Sequence, residues 1–78
     1  MDKNLQQAKL EMWTKKLAEN QAKLEDAMKR KGEAAQMGDL SENAAYKMAI
    51  EEIEMAQARE REITNILGNI KKNLGITD

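Results

Sequence analysis

Two carboxylates, Asp39 and Glu42, are the residues of this chain whose type and spacing are best suited to chemistry. They lie three positions apart in the segment Gly-Asp-Leu-Ser-Glu-Asn-Ala-Ala-Tyr, residues 38–46. Hard cations such as Mg²⁺ prefer carboxylate oxygens, but two carboxylates make a weak site that needs further ligands from a partner or a substrate phosphate. The same pair fits a capping box, with Asp39 as N-cap of a helix and Glu42 three residues on. The spacing alone leaves both interpretations open.

This segment lies between two long helical patterns. We predict a first helix over about residues 4–37, a tip at 38–43 that starts with a helix-stopping glycine, and a second helix over about 44–74. In each helix one stripe of residues follows heptad spacing, which is typical of a coiled-coil seam. The first stripe consists of Leu10, Trp13, Leu17, Asn20, Leu24, Ala27, Lys31 and Ala34, and the second of Tyr46, Ala49, Ile53, Ala56, Glu60, Ile63, Leu67, Ile70 and Leu74.

A hairpin that turns at the tip brings both stripes into one register. The predicted facing pairs are Leu10–Ile70, Trp13–Leu67, Leu17–Ile63, Asn20–Glu60, Leu24–Ala56, Ala27–Ile53, Lys31–Ala49 and Ala34–Tyr46. The polar pair Asn20 and Glu60 shares one layer, which penalises slipped registers. The sequence therefore predicts an all-α fold, an antiparallel two-helix coiled-coil hairpin, with arms roughly 45 Å long.

Length and composition restrict the class of protein. The 78 residues form one small domain, and they carry 13 basic and 14 acidic side chains, so net charge does not call for nucleic acid. Cysteine and histidine are absent, which excludes a disulfide framework and a zinc site built from those residues. The chain has neither an apolar run long enough to span a membrane nor a signal-peptide core, so we expect a cytoplasmic protein.

The segment 38–46 closely resembles the tip motif of the bacterial Gre transcript cleavage factors, a family of transcription elongation factors. The resemblance implies that the chain is the family's N-terminal coiled-coil domain, and that it binds the secondary channel of RNA polymerase and meets the nascent RNA 3′ end indirectly. Asp39 and Glu42 would share a Mg²⁺ ion with the polymerase, bound stably only in that complex, and assist its cleavage of backtracked RNA. Leu40, Ser41 and Asn43 would contact the polymerase. The chain would then stimulate an enzyme without being one.

Several positions depart from the family pattern. Ala35 and Ile50 stand where family members often carry basic residues that engage RNA, Ala45 replaces a glutamate, and Glu60 falls where isoleucine is usual. The C-terminal domain of the family is absent from these 78 residues, either because the chain is excised or because the protein is a hairpin only. Two alternatives therefore stay open: a hairpin that occupies the channel and inhibits polymerase without cleavage, and a structural coiled-coil module with weak self-association through its open end.

Basic residues cluster near the tip and have two interpretations. Lys29, Arg30, Lys31 and Lys47 form a solvated face that balances nearby acids, or some of them contact RNA phosphate, for which Lys29, Arg30 and Lys47 are the candidates. Trp13 is interpreted as a seam residue, whereas an exposed Trp13 would indicate a docking surface near the open end.

Overall fold

The computed structural model describes residues 2–39 and 42–76 and confirms the helical hairpin. Helix α1 covers Lys3–Ala35 and helix α2 covers Ala44–Leu74, and the two pack along their length. Neither described part of the chain contains a β-strand. The observed helices agree with the predicted ranges to within two residues at each end.

Local side-chain chemistry sets the outer ends of both helices. Asp2 caps α1, because its carboxylate accepts hydrogen bonds from the backbone N–H of Asn4 at 2.9 Å and of Leu5 at 3.3 Å. At the other end, Gly75 adopts a left-handed conformation with φ of 74°. The N–H groups of Gly75 and Ile76 bond back to the carbonyls of Lys72 and Lys71, which is a Schellman motif.

The buried seam changes in character along the hairpin. Near the open end the buried residues are large, namely Ile63, Leu67 and Ile70, whereas towards the tip they are alanines: Ala27, Ala34, Ala49 and Ala56. Two helices cover each other on one face only, so Trp13, Leu17 and Leu24 stay half-buried. The small residues allow close approach of the helices near the tip, and most of the apolar burial lies far from it.

The predicted polar pair of Asn20 with Glu60 does not form a hydrogen bond between the two side chains, because Asn20 bonds to a different residue. Asn20 is buried in the seam, but its amide donates to the carbonyl oxygen of Ala56 at 2.8 Å, one helical turn from the predicted Glu60. The methyl side chain of Ala56 leaves that carbonyl accessible, and a backbone carbonyl can accept a second hydrogen bond. Glu60 itself is half-buried. In this polar layer the side chain of Asn20 on α1 is therefore hydrogen-bonded to the backbone of α2.

The hairpin is a long and narrow stalk. Its principal extents are 55 × 18 × 14 Å, and α1, with 33 residues, accounts for roughly 50 Å of that length. Within the described residues, no helix is long and apolar enough to cross a membrane.

Candidate functional site: the acidic tip

The tip, residues 38–43, follows the C-terminal end of α1 and lies between the two helices. α1 ends in tightened turns, because the N–H of Gln36 bonds to the Glu33 carbonyl at 3.2 Å and that of Met37 to the Ala34 carbonyl at 3.0 Å. Gly38 follows with φ of 124°, a conformation that L side chains rarely adopt. Because α1 already ends at Ala35 with Gln36 as its C-cap, Gly38 lies beyond the helix end and does not itself cap the helix.

Gly38→Ala is expected to destabilise the hairpin by about 1–2 kcal/mol through backbone strain alone. A Cβ atom built at Gly38 would meet nothing within 4 Å, so no steric contact contributes. The matched control is Gly32→Ala in the interior of α1, where the added Cβ also meets nothing and the conformation is helical. That control should raise the free energy of unfolding of the hairpin by roughly 0.5–1 kcal/mol. Urea denaturation followed by circular dichroism measures both changes, and equal signs would contradict the strained backbone at Gly38.

The capping-box interpretation of Asp39 and Glu42 is wrong. α2 begins at Ala44 and its N-cap is Asn43, whose Oδ1 accepts the backbone N–H of Tyr46 at 3.1 Å. Asp39 and Glu42 both precede that cap, so neither occupies the position that the capping box requires. Asparagine and aspartate are about equally good N-caps, and Asn43 makes an additional bond that an aspartate could not make.

That additional bond joins the two helices. The Asn43 amide donates from Nδ2 to the carbonyl oxygen of Ala34 at 2.7 Å, in the last turn of α1. Beside it, the ammonium group of Lys31 lies 5.9 Å from the centre of the Tyr46 ring, a cation–π distance. Sequence reasoning placed Asn43 at the bend but missed this bridge, because only the packed hairpin brings Ala34 within reach.

The two tip acids are exposed and project from a short loop. Asp39 and Glu42 both face solvent, whereas Leu40 and Ser41 lie outside the described residues. Over residues 2–39 and 42–76, no three acidic side chains come together as a metal site. Chemically, the tip offers hard oxygen donors but an incomplete ligand set.

The basic candidates near the tip have unequal surroundings. Arg30 pairs with Glu52 across the seam and with Asp26 on its own helix at 2.9 Å, and these hydrogen bonds raise the pKa of its guanidinium above the usual value. One oxygen of Glu52 is shielded from solvent by this contact. Lys29 and Lys47 are exposed on the outer faces of their helices. The structure therefore gives Arg30 a role in joining the helices.

The hairpin has two different edges near its tip. The Arg30–Glu52 ion pair lies along one edge of the seam. By heptad position, Ala35 and Ile50 belong to the opposite edge, together with the exposed Met28. Ala35 and Ile50 therefore leave that edge without a positive charge at the two positions where the family resemblance places basic residues, and Arg30 lies on the other edge.

Comparison with known protein families identifies a match for most of the chain. The family described as "Transcription elongation factor, N-terminal", of the GreA and GreB type, matches residues 3–71. This range includes all of α1, the whole tip and nearly all of α2. No curated protein and no solved structure matches the chain significantly.

Proposed function

Since the chain belongs to the Gre family of transcription elongation factors, whose N-terminal domain its residues 3–71 match, we propose that its hairpin enters the secondary channel of RNA polymerase. There Asp39 and Glu42 assist the polymerase in cleaving backtracked RNA. The polymerase performs the cleavage and the hairpin stimulates it. The chain acts as an RNA polymerase-binding factor and meets the RNA 3′ end only at the catalytic centre of the polymerase.

The observation that carries this proposal is the position of two exposed carboxylates at the end of a narrow stalk. The stalk is 55 Å long and 18 × 14 Å in cross-section, and its buried side chains near the tip are alanines. A coiled-coil module that only associated with a partner would need no such shape at its bend. A long, thin stalk with an acidic end is suited to placing charge inside a deep, narrow cavity.

The tip acids fit a shared magnesium ion. Their carboxylates are the oxygen ligands that Mg²⁺ prefers, and the described residues offer no third acid that would complete a site within the hairpin. The remaining ligands must then come from the polymerase and the RNA. Bound there, the ion would supply water activation and charge stabilisation for phosphodiester hydrolysis. Asp39 and Glu42 would contribute two of the ligands of this ion. Dissociation of the hairpin from the polymerase would remove the other ligands and release the ion.

A second function, channel occupation without cleavage, is supported by the uncharged edge of the tip. Ala35 and Ile50 leave this edge without the basic residues that the family pattern uses to engage RNA, and Arg30 is paired on the opposite edge. A hairpin that binds the channel but does not hold the RNA 3′ end would obstruct nucleotide addition. It would still require the stalk but not the tip acids.

One experiment separates these functions. Backtracked bacterial RNA polymerase complexes with end-labelled RNA are incubated with the purified chain and Mg²⁺, and the RNA is resolved by length. Shortening of the transcript that requires Mg²⁺ and is lost in Asp39→Asn/Glu42→Gln supports the proposal. Blocked nucleotide addition without shortening, equal in wild type and variant, supports channel occupation.

The absence of any effect on saturated polymerase would overturn both functions. Sedimentation then tests the structural alternative, in which bulky residues at the open end mediate self-association. A sedimentation-equilibrium mass that stays monomeric at all concentrations excludes that alternative. Saturation is verified beforehand by co-sedimentation of the chain with polymerase, so a weak complex is not mistaken for an inactive one.

A further inference from the structure

We propose that Asn43 is a positioning residue that holds the acidic tip at a fixed angle to the stalk, and that cleavage depends on this function more than polymerase binding does. The inference rests on the proposed function of the tip acids. It assigns Asn43 an internal role, whereas the family resemblance alone would make it a contact to the polymerase.

The geometry places one amide group between the two helix ends that border the tip. Its Nδ2 donates to the Ala34 carbonyl at 2.7 Å, and its Oδ1 accepts from the Tyr46 N–H at 3.1 Å. The Ala34 carbonyl belongs to the last turn of α1, where it also accepts the Met37 N–H at 3.0 Å. The Tyr46 N–H belongs to the first turn of α2, where a helix lacks internal partners. A single half-buried side chain thus forms hydrogen bonds with both helix ends at once.

Asparagine is the residue suited to this bridge. Its amide carries a donor and an acceptor in one rigid plane, whereas ionised aspartate can only accept and serine has a single short hydroxyl. The bridge also requires close helices, which the buried alanines Ala34 and Ala49 permit, each no more than 3 % exposed. The small buried residues near the tip are therefore a condition for the hydrogen bond of Asn43 to α1.

The bridge bears directly on the tip acids. Glu42 is the residue immediately before Asn43, and Asp39 follows Gly38, which lies four residues after Ala34. With both helix ends bonded to one side chain, the point where the chain leaves α1 and the point where it enters α2 are fixed relative to each other. Displacing metal ligands by about 1 Å can cost on the order of 100-fold in rate, so a fixed position of the two helix ends has kinetic consequences.

The test is Asn43→Asp, which keeps the N-cap acceptor and the side-chain shape but removes the donor to Ala34. The charge-matched control is Asn69→Asp, at an exposed position of α2. Both variants are assayed in the backtracked-polymerase reaction over a range of factor concentrations. We expect Asn43→Asp to lower the cleavage rate at saturation roughly 10-fold or more, with the half-saturating concentration within about 2-fold of the control.

A second measurement is independent of polymerase. Backbone ¹⁵N relaxation of the isolated hairpin should show lower order parameters at Asp39 and Glu42 in Asn43→Asp than in Asn69→Asp, while the helix content of the two variants stays equal. Equal saturated rates for both variants would overturn the positioning role, provided Asp39→Asn/Glu42→Gln has lost cleavage. A change confined to the half-saturating concentration would identify a docking contact and overturn it as well. If the wild-type chain stimulates no cleavage, the proposed function fails, whatever the relaxation data show, and the positioning role in cleavage fails with it.

Discussion

Replacing Asp39 and Glu42 together by Asn and Gln is expected to lower the stimulated cleavage rate at saturating factor at least about 100-fold. The amides keep the size of the side chains but remove two negative charges and the strongest oxygen donors at the tip. Removing one electrostatic partner of a developing charge in an enclosed site typically costs ~10²–10³ in rate. The rate is measured in a single-turnover assay on backtracked polymerase complexes with end-labelled RNA.

The matched control is Glu51→Gln/Glu54→Gln, which makes the same change of charge on the exposed surface of α2. We expect this control to stay within about 2-fold of wild type, because exposed charges of the stalk are screened by salt over roughly 10 Å. Both variants should compete with the wild-type chain for polymerase equally well. Equal losses in the two variants would mean that general electrostatics, and not the tip ligands, governs cleavage.

The hairpin could be predicted from the sequence because its signal is repeated along the chain. Heptad spacing in both halves, interrupted once at Gly38, leaves few alternatives to two antiparallel helices. The observed bounds, Lys3–Ala35 and Ala44–Leu74, differ little from those expected. The heptad pattern extends over many residues, so a few polar residues within it do not obscure the prediction. The architecture could therefore be predicted without knowledge of any contact.

The details of the tip could not be predicted in the same way. Asp39 and Asn43 are both good N-cap residues, and local chemistry does not choose between them. Asn43 makes a tertiary contact in addition to its local cap, the hydrogen bond to Ala34, which exists only after the helices have packed. The error over the capping box therefore comes from treating a helix start as a local event.

The partner of Asn20 illustrates the same distinction. Heptad position correctly predicts that Asn20 faces the seam, but it does not specify which polar group the amide will reach. The backbone carbonyl of Ala56 is accessible because its neighbouring side chain is only a methyl group. Periodicity identifies layers of side chains, and it says nothing about backbone acceptors between them.

The distribution of residue size along the seam connects stability with the proposed function. The stalk near the tip is built from buried alanines, which permit close helices and the Asn43 bridge but contribute little apolar area. Large apolar side chains are buried at the open end, far from the tip acids. The narrow end is thus held in place by packing elsewhere in the hairpin, so a substitution distant from the tip can abolish its function by unfolding the stalk.

Ile63→Ala is expected to unfold the hairpin at physiological temperature. Ile63 is the largest side chain that is fully buried, at 1 % exposure, and truncating a buried isoleucine to alanine costs about 2–5 kcal/mol. A single core of this size rarely supplies more than about 3–5 kcal/mol, so the loss is comparable to the whole stability. The measurement is urea and thermal denaturation of the isolated chain, followed by circular dichroism at 222 nm.

Two further variants separate packing from other effects. Ile63→Val removes one methylene and should cost about 0.5–1.5 kcal/mol, which leaves a folded protein with a lower melting temperature. Met55→Ala, on the same helix but at a side chain that is 72 % exposed, should change stability by no more than about 0.5 kcal/mol. Equal melting temperatures of Ile63→Ala and Met55→Ala would contradict the burial of Ile63 between the two helices. If it unfolds as expected, it should lose stimulation of cleavage and binding to polymerase together, unlike the tip variants, which should lose cleavage alone.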